Sequence, residues 1–234
     1  TPGYDGWMDE VDKCIATLKP DSWKGYTVGD NTNKDLARHP WRMDDEKLVY
    51  PFYEKIVKAG YDIVCVHKGL YPTSVEKRWP HLLPYATVDD VGKAAKDWPQ
   101  LNFIIYHSGY RHVGGDPAVA MAEWDQTGRI SWVSDLAEIP AKYGVKNVYG
   151  DLGQLFAYST VAQPRLAAAM MGTLVKGLGA DHVVWGTDAV WTGSPQWQIE
   201  GLRRLEIPVE MQKKHGFAPL GPADGKVKTQ IFSG

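Results

Sequence analysis

An α/β fold built on a parallel sheet is what this sequence predicts, on three observations. Helical and strand-like periodicities alternate along the chain through five strand candidates. The clearest of these, the Ile-Val-Cys-Val run within Asp62 to Val66, has the length and β-branched content of a strand buried on both faces. Three of the five strands end in a residue that can bind a metal or move a proton: His67, His107 and Asp188.

The elements follow in order. Met8, Val11, Ile15 and Leu18 recur at helical spacing, so a helix is expected over Asp5 to Leu18, ended by Pro20. Trp23 to Val28 reads as the first strand, closed by Gly29-Asp30-Asn31. A second helix spans about Asp44 to Ala59 with Leu48, Phe52 and Ile56 on one face; Pro51 marks a kink or a fresh first turn, and Gly60 the stop. The strand Asp62 to Val66 ends at His67, and a polar loop holding Pro72, Pro80 and Pro84 follows. A helix from Thr87, with Val88, Val91 and Ala95 inward, leads to the strand Leu101 to Tyr106, which ends at His107. A short helix after Asp116-Pro117 and another around Trp132 to Tyr143 precede Gly144 and the strand Asn147 to Gly150. Pro164 suits a first helical position, and Leu166, Met170 and Leu174 mark that helix's inner face before Gly177 and Gly179. The strand His182 to Trp185 runs into Gly186-Thr187-Asp188, and Ser194-Pro195 caps a last helix with Ile199, Leu202 and Leu205 inward. Repeats and linkers are absent, so one domain is expected over residues 1–234.

Composition narrows the function. The chain has 26 Lys+Arg against 28 Asp+Glu, a net charge of −2, with basic residues scattered rather than striped, which argues against a nucleic-acid partner. A hydrophobic content of 44% with 23% charged residues excludes disorder and disulfide-dense miniproteins. The apolar runs are far shorter than the roughly 20 residues of a membrane helix, so no membrane partner is expected. Cys14 and Cys65 read as reduced core residues, which points to a reducing, cytoplasmic setting. No export signal is visible after Thr1, though a segment upstream of it is where one would lie. Gly114-Gly115 is not a phosphate-cradling loop, since no GxGxxG or GxxxxGK[ST] spacing occurs, and no GxSxG elbow offers a nucleophilic serine.

In parallel α/β folds ligands bind beyond the carboxyl ends of the strands, so His67, His107 and Asp188 should converge. Neutral imidazole and carboxylate are the usual ligands of a catalytic zinc. One such histidine is more often structural; the coincidence of three carries the signal. Around them, Arg111 reads as a bidentate clamp for a substrate carboxylate or as half of a surface ion pair. His112, in the loop Tyr110-Arg111-His112-Val113-Gly114-Gly115, reads as a substrate contact or a solvated loop histidine. Asp151, just past Val148-Tyr149-Gly150, orients substrate or a loop, or caps a helix. Trp185, Trp191 and Trp197 follow the last strand and can wall an apolar pocket, with Trp191 the candidate substrate contact, or belong to the core. Lys68 alternates away from His67 and is not expected to bridge metals. His39, His81, His182 and His215 carry no usable signal.

The stretches Val64-Cys-Val-His-Lys-Gly69, Ile104-Ile-Tyr-His-Ser-Gly109 and Val183-Val-Trp-Gly-Thr-Asp188 resemble the fifth, sixth and eighth strand motifs of the amidohydrolase-related family of metal-dependent hydrolases. The resemblance implies a distorted (β/α)8 TIM barrel, of which this chain covers about strands four to eight. It also implies His67 as a metal ligand and Asp188 as ligand and catalytic proton acceptor. His107 is a ligand if the chain follows the family's binuclear hydrolases, and a catalytic acid–base residue if it follows the mononuclear decarboxylases. The implied cofactor is a divalent metal, Zn2+ first and Mn2+ second, and the implied partners are a small-molecule substrate and further copies of the intact barrel in a homo-oligomer.

The family's first-strand His-x-His pair is missing from the sequence. Three strands, on the order of 90 residues, are therefore expected upstream. Lys228-Thr-Gln-Ile-Phe-Ser-Gly234 resembles the start of the family's closing helix, so a longer natural chain is expected at that end too. The expected activity is hydrolysis, with a metal-bound water attacking a carbonyl or ester-like bond of a small cyclic or aromatic substrate. The alternative is zinc-dependent non-oxidative decarboxylation on the same barrel, and the third reading is a non-catalytic binding or scaffold fragment.

Overall fold

Five short strands pair in the order in which the chain makes them, all parallel: β1 (Trp23–Tyr26), β2 (Ile63–His67), β3 (Asn102–Tyr106), β4 (Val148–Asp151) and β5 (Val183–Val184). The computed structural model describes residues 2–28, 39–112 and 117–233. The expected turn at Gly29-Asp30-Asn31, together with Gly114-Gly115 and Asp116, lies outside the described residues.

The register is what positions the site. Tyr26 lies beside His67 and His67 beside Tyr106, while Lys24, Cys65, Ile104 and Tyr149 form the next row. Because strand side chains alternate, Val64, Val66, Phe103, Ile105 and Val148 enter the core beneath the helices, and the two rows above share the opposite face. On that face Cys65 of β2 is buried, as Val64 and Val66 are on the other, whereas on the neighbouring strands Tyr26 is 48% exposed and Ile104 and Tyr106 are half-buried. Among the described residues the main apolar cluster against β1 to β4 lies on the other face.

Several helices begin where local chemistry allows rather than where periodicity does. Helix α1 (Trp7–Lys13) continues as a π-helical turn over Cys14–Leu18. Helix α2 (Tyr50–Lys58) starts later than the Asp44 expected, because Pro51 fits a first turn while Asp45 Oδ1 accepts the Lys47 and Leu48 N–H groups in a turn of its own. The expected polar loop after β2 is instead α3 (Thr73–Arg78), a 3₁₀ turn (Pro80–Leu82) and α4 (Leu83–Ala86), since its prolines sit at helix starts. Tyr71, Trp79, Leu82 and Ala86 of this stretch close a small core with Val28.

Helix α5 (Val91–Asp97) also starts later than the Thr87 expected. Helices α6 (Pro117–Thr127), α7 (Val133–Tyr143), α9 (Pro164–Leu178) and α11 (Pro195–Arg204) fall where the pattern placed them. The sequence reading missed α8 (Gly153–Ala162) and α12 (Val209–His215), and the described chain also holds α10 (Ala189–Thr192) and α13 (Lys226–Ser233). Among the described residues no helix is long and apolar enough to cross a membrane, and both cysteines are free thiols.

Candidate functional site

The carboxyl ends of the strands bring the candidate residues together. His67 is the last residue of β2, His107 follows β3 directly, Asp151 ends β4, and Asp188 stands four residues past β5. The His67 and His107 rings meet edge to face with centroids 4.9 Å apart, and Tyr26 stacks on the other side of His67 at 4.9 Å. His107, Asp151 and Asp188 line one cavity with Cys65, Tyr106 and Trp185.

The backbone at these ends is left-handed at three non-glycine positions, His107 (φ 55), Ser108 (φ 47) and Asp188 (φ 51). Such conformations cost energy and persist only where surrounding bonds impose them. Here the bonds are on view. The His107 N–H donates to Asp151 Oδ1 at 3.1 Å, and Ser108 Oγ donates to the Asp151 carbonyl at 2.9 Å. Thr192 Oγ1 donates to the Thr187 carbonyl at 2.7 Å and Gln198 Nε2 to the same oxygen at 3.0 Å, bracing the turn that carries Asp188. Glycine is required beside both groups: a Cβ on Gly153 would strike His107 Nδ1, and one on Gly186 would strike the Asp151 carboxylate.

Protonation follows from burial. Desolvation first, and then the neighbouring His107 and Lys24, push His67 down to about 3. Burial and Lys24 push His107 down to about 4, so both imidazoles are neutral at pH 7. Burial lifts the Asp151 carboxyl to about 6 against the opposing pull of the His107 N–H. The Gln154 N–H donates to His107 Nδ1 at 3.1 Å. In the neutral ring this assigns the remaining proton to Nε2, making His107 a hydrogen-bond donor through that nitrogen.

His67 Nδ1 is buried with no hydrogen-bond partner. A neutral imidazole with an unsatisfied nitrogen, near a strand-end carboxylate, fits a divalent metal. Yet among the described residues no three His, Cys, Asp or Glu side chains are grouped closely enough to hold an ion. The expected set of His67, His107 and Asp188 is therefore not a complete metal centre in this chain; His107 Nδ1 already accepts a backbone N–H.

The outer candidates separate. Arg111 pairs with Glu76 at 2.5 Å, its guanidinium 5.4 Å from the Trp132 ring. His112 is not a solvated loop histidine: it is 6% exposed, with Nε2 4.0 Å from a Glu123 carboxylate oxygen. Neither residue lines the cavity of His107, Asp151 and Asp188. Trp191 is 75% exposed and Trp197 66% exposed, and neither lines the cavity of His107, Asp151 and Asp188; Trp185 does, packed on Phe156 and Phe232. Lys68 lies on the far face of the sheet, fully buried against Asp90 at 2.7 Å. Gln154 was missed, since a backbone donor leaves no mark in sequence. Lys24 was missed too, although alternation along Trp23-Lys-Gly-Tyr26 in a parallel register sets it on the His67 face.

Residues 28–233 match the family described as Amidohydrolase. Among solved structures, an amidohydrolase from Burkholderia multivorans with bound HEPES superposes with a TM-score of 0.51 at 13% identity, over 98% of this chain and 67% of that one. The 5-carboxyvanillate decarboxylase of Sphingomonas paucimobilis gives 0.47 at 13% identity, over 96% of this chain and 59% of its own. A dihydroxybenzoic acid decarboxylase from Polaromonas sp. JS666, with bound manganese and the inhibitor 2-nitroresorcinol, gives 0.44 at 15% identity, over 89% and 62%. The chain thus spans 59% to 67% of the length of these structures. Comparison with curated proteins finds no match. With a parallel sheet whose strand ends carry the candidate residues and a family match over nearly all of its length, the chain belongs to the amidohydrolase family.

Proposed function

We propose that this chain carries part of the active site of a metal-dependent enzyme acting on a small molecule, and that the reaction is hydrolysis at a carbonyl or ester-like bond. The observation that carries this reading is one cavity holding a fixed donor and an acceptor: His107, its Nδ1 occupied by the Gln154 N–H, and the Asp188 carboxylate. His67 and Asp188 hold the metal, Zn2+ or Mn2+, in this reading. When bound, a divalent metal polarises a carbonyl and acidifies water near neutral pH. Asp188 accepts the proton lost by the attacking water, and His107 Nε2–H donates to the oxygen that gains charge. Further strands closing the open sheet face complete the ligand set and a single barrel domain.

Decarboxylation is the second reading, in which His107 protonates a substrate carbon while the Asp151 carboxyl, lifted to about 6 by burial, lines the same cavity and accepts the His107 backbone N–H. Product analysis, carbon dioxide release against addition of water, separates the two.

The test is metal stoichiometry in the full-length protein. One equivalent of Zn2+ or Mn2+ is expected, with His67→Ala and Asp188→Ala weakening it tenfold or more. His107→Asn should keep the metal and lower turnover by about 10²–10⁴. Loss of the metal in His107→Asn would make His107 a ligand and overturn its role as donor.

A further inference from the structure

The open face of the sheet carries a cation that the proposed chemistry does not use. Lys24 projects from β1 onto the same face as His67 and Tyr106, and its Nζ lies 3.6 Å from the centroid of the Tyr106 ring and 4.8 Å from that of Tyr26. Its backbone sits two residues before Tyr26, about 7 Å deeper along the strand, so the side chain reaches back up to the level of His67. Aromatic faces steady an ammonium through the ring quadrupole without neutralising it, and they leave its N–H bonds free to point outward. Among the described residues Lys24 has no ion-pair partner.

The surroundings make this charge distinctive. Burial disfavours it, while Cys65, Asp151 and Asp188 favour it, which places the ammonium within electrostatic reach of the site's carboxyls. The other cations nearby are committed: Lys68 to Asp90 on the far face, Arg111 to Glu76. His67 and His107 are neutral. A negatively charged ligand entering the face therefore meets Lys24, exposed and, among the described residues, without an ion-pair partner, over the ring of Tyr106, which itself lines the cavity of His107, Asp151 and Asp188.

We propose that Lys24 is the anion anchor of this site, taking a carboxylate of the substrate while the reacting group lies among His67, His107 and Asp188. The inference rests on the enzymatic reading above and adds the substrate class: small carboxylates whose anionic end is set close to the bond that reacts. Lys24 acts in binding and alignment; it gives and takes no proton.

The probes are benzoate and benzamide, equal in shape and different in charge, titrated calorimetrically into the full-length, metal-loaded protein. The wild type should prefer benzoate by tenfold or more. Lys24→Gln should cut that preference to within twofold, and Lys24→Arg should retain most of it. A preference unchanged in Lys24→Gln, or absent in the wild type, overturns the anchor. The metal titration of the same variants keeps the two ideas apart: Lys24→Gln should bind metal as the wild type does. A protein that binds no metal sinks the enzymatic reading while the charge preference still judges Lys24.

Discussion

Two neutral imidazoles in contact give the chain a pH dependence whose sign can be worked out. In the unfolded chain each takes a proton near 6.5, whereas in the folded chain His67 waits until about 3 and His107 until about 4. Between those values the unfolded state binds more protons, so the stability these groups contribute is complete above about 6.5 and is lost as pH falls. Asp151 acts in the opposite sense: held protonated up to about 6, it favours the folded state at low pH and costs stability as pH rises through that range. Two imidazoles against one carboxyl leave a net of about one proton. Urea denaturation of the chelated protein should therefore show the midpoint falling from pH 6.5 to pH 5. In the doubly substituted His67→Asn, His107→Asn protein the fall should be smaller; a wild-type midpoint that rises on acidification would contradict the balance.

Between elements, the strand period decides which of two adjacent residues serves the site and which serves the fold. His67 faces the open side, so Lys68 must enter the helical side, where its Nζ donates to Asp90 Oδ2 at 2.7 Å and to the Tyr85 carbonyl at 2.9 Å. The same Asp90 oxygen accepts the Met43 N–H at 2.8 Å, so one buried carboxylate joins the end of β2, the start of α5 and the segment before α2. Removing one partner of a buried pair strands the other charge. Lys68→Met should cost about 3–5 kcal/mol by chemical denaturation, and Lys68→Met with Asp90→Leu should recover part of that loss. A double variant no more stable than the single one would show that Asp90 matters through the Met43 N–H alone.

At the scale of the molecule, stability and chemistry lie on opposite sides of the sheet. Helix α9 is deeply buried on the helical side, with Leu166, Ala167, Ala169, Met170, Met171 and Leu174 all at 0% exposure. Leu174→Ala should cost about 2–5 kcal/mol, while Val161→Ala, at a position 60% exposed, should change stability by no more than about 0.5 kcal/mol in urea titrations. Comparable losses at the two positions would mean that the core is not organised around α9. The opposite face holds Lys24, Tyr26, His67 and Tyr106 in a polar, partly exposed array. Parallel sheets are ordinarily covered on both faces, and this one-sidedness is what the proposed closing strands would relieve.

The strand succession, the parallel class and the placing of His67, His107 and Asp188 at strand ends were legible in the sequence, because apolar runs bounded by glycine or proline and the period of two are local properties of the chain; that Asp151 joins them was not. The sequence also determined that Lys68 leaves the site. Tertiary structure decided the rest. Whether His112 is solvated, whether Trp191 meets a pocket and whether Arg111 is already paired depend on partners tens of residues away or on the angle at which a loop docks. The proton on His107 Nε2 is set by a backbone N–H 47 residues on, and the role of Lys24 by strands that lie beside it only once the sheet has formed. Periodicity fixes the side of the sheet on which a residue stands; only the folded chain brings up the neighbour that gives it a task.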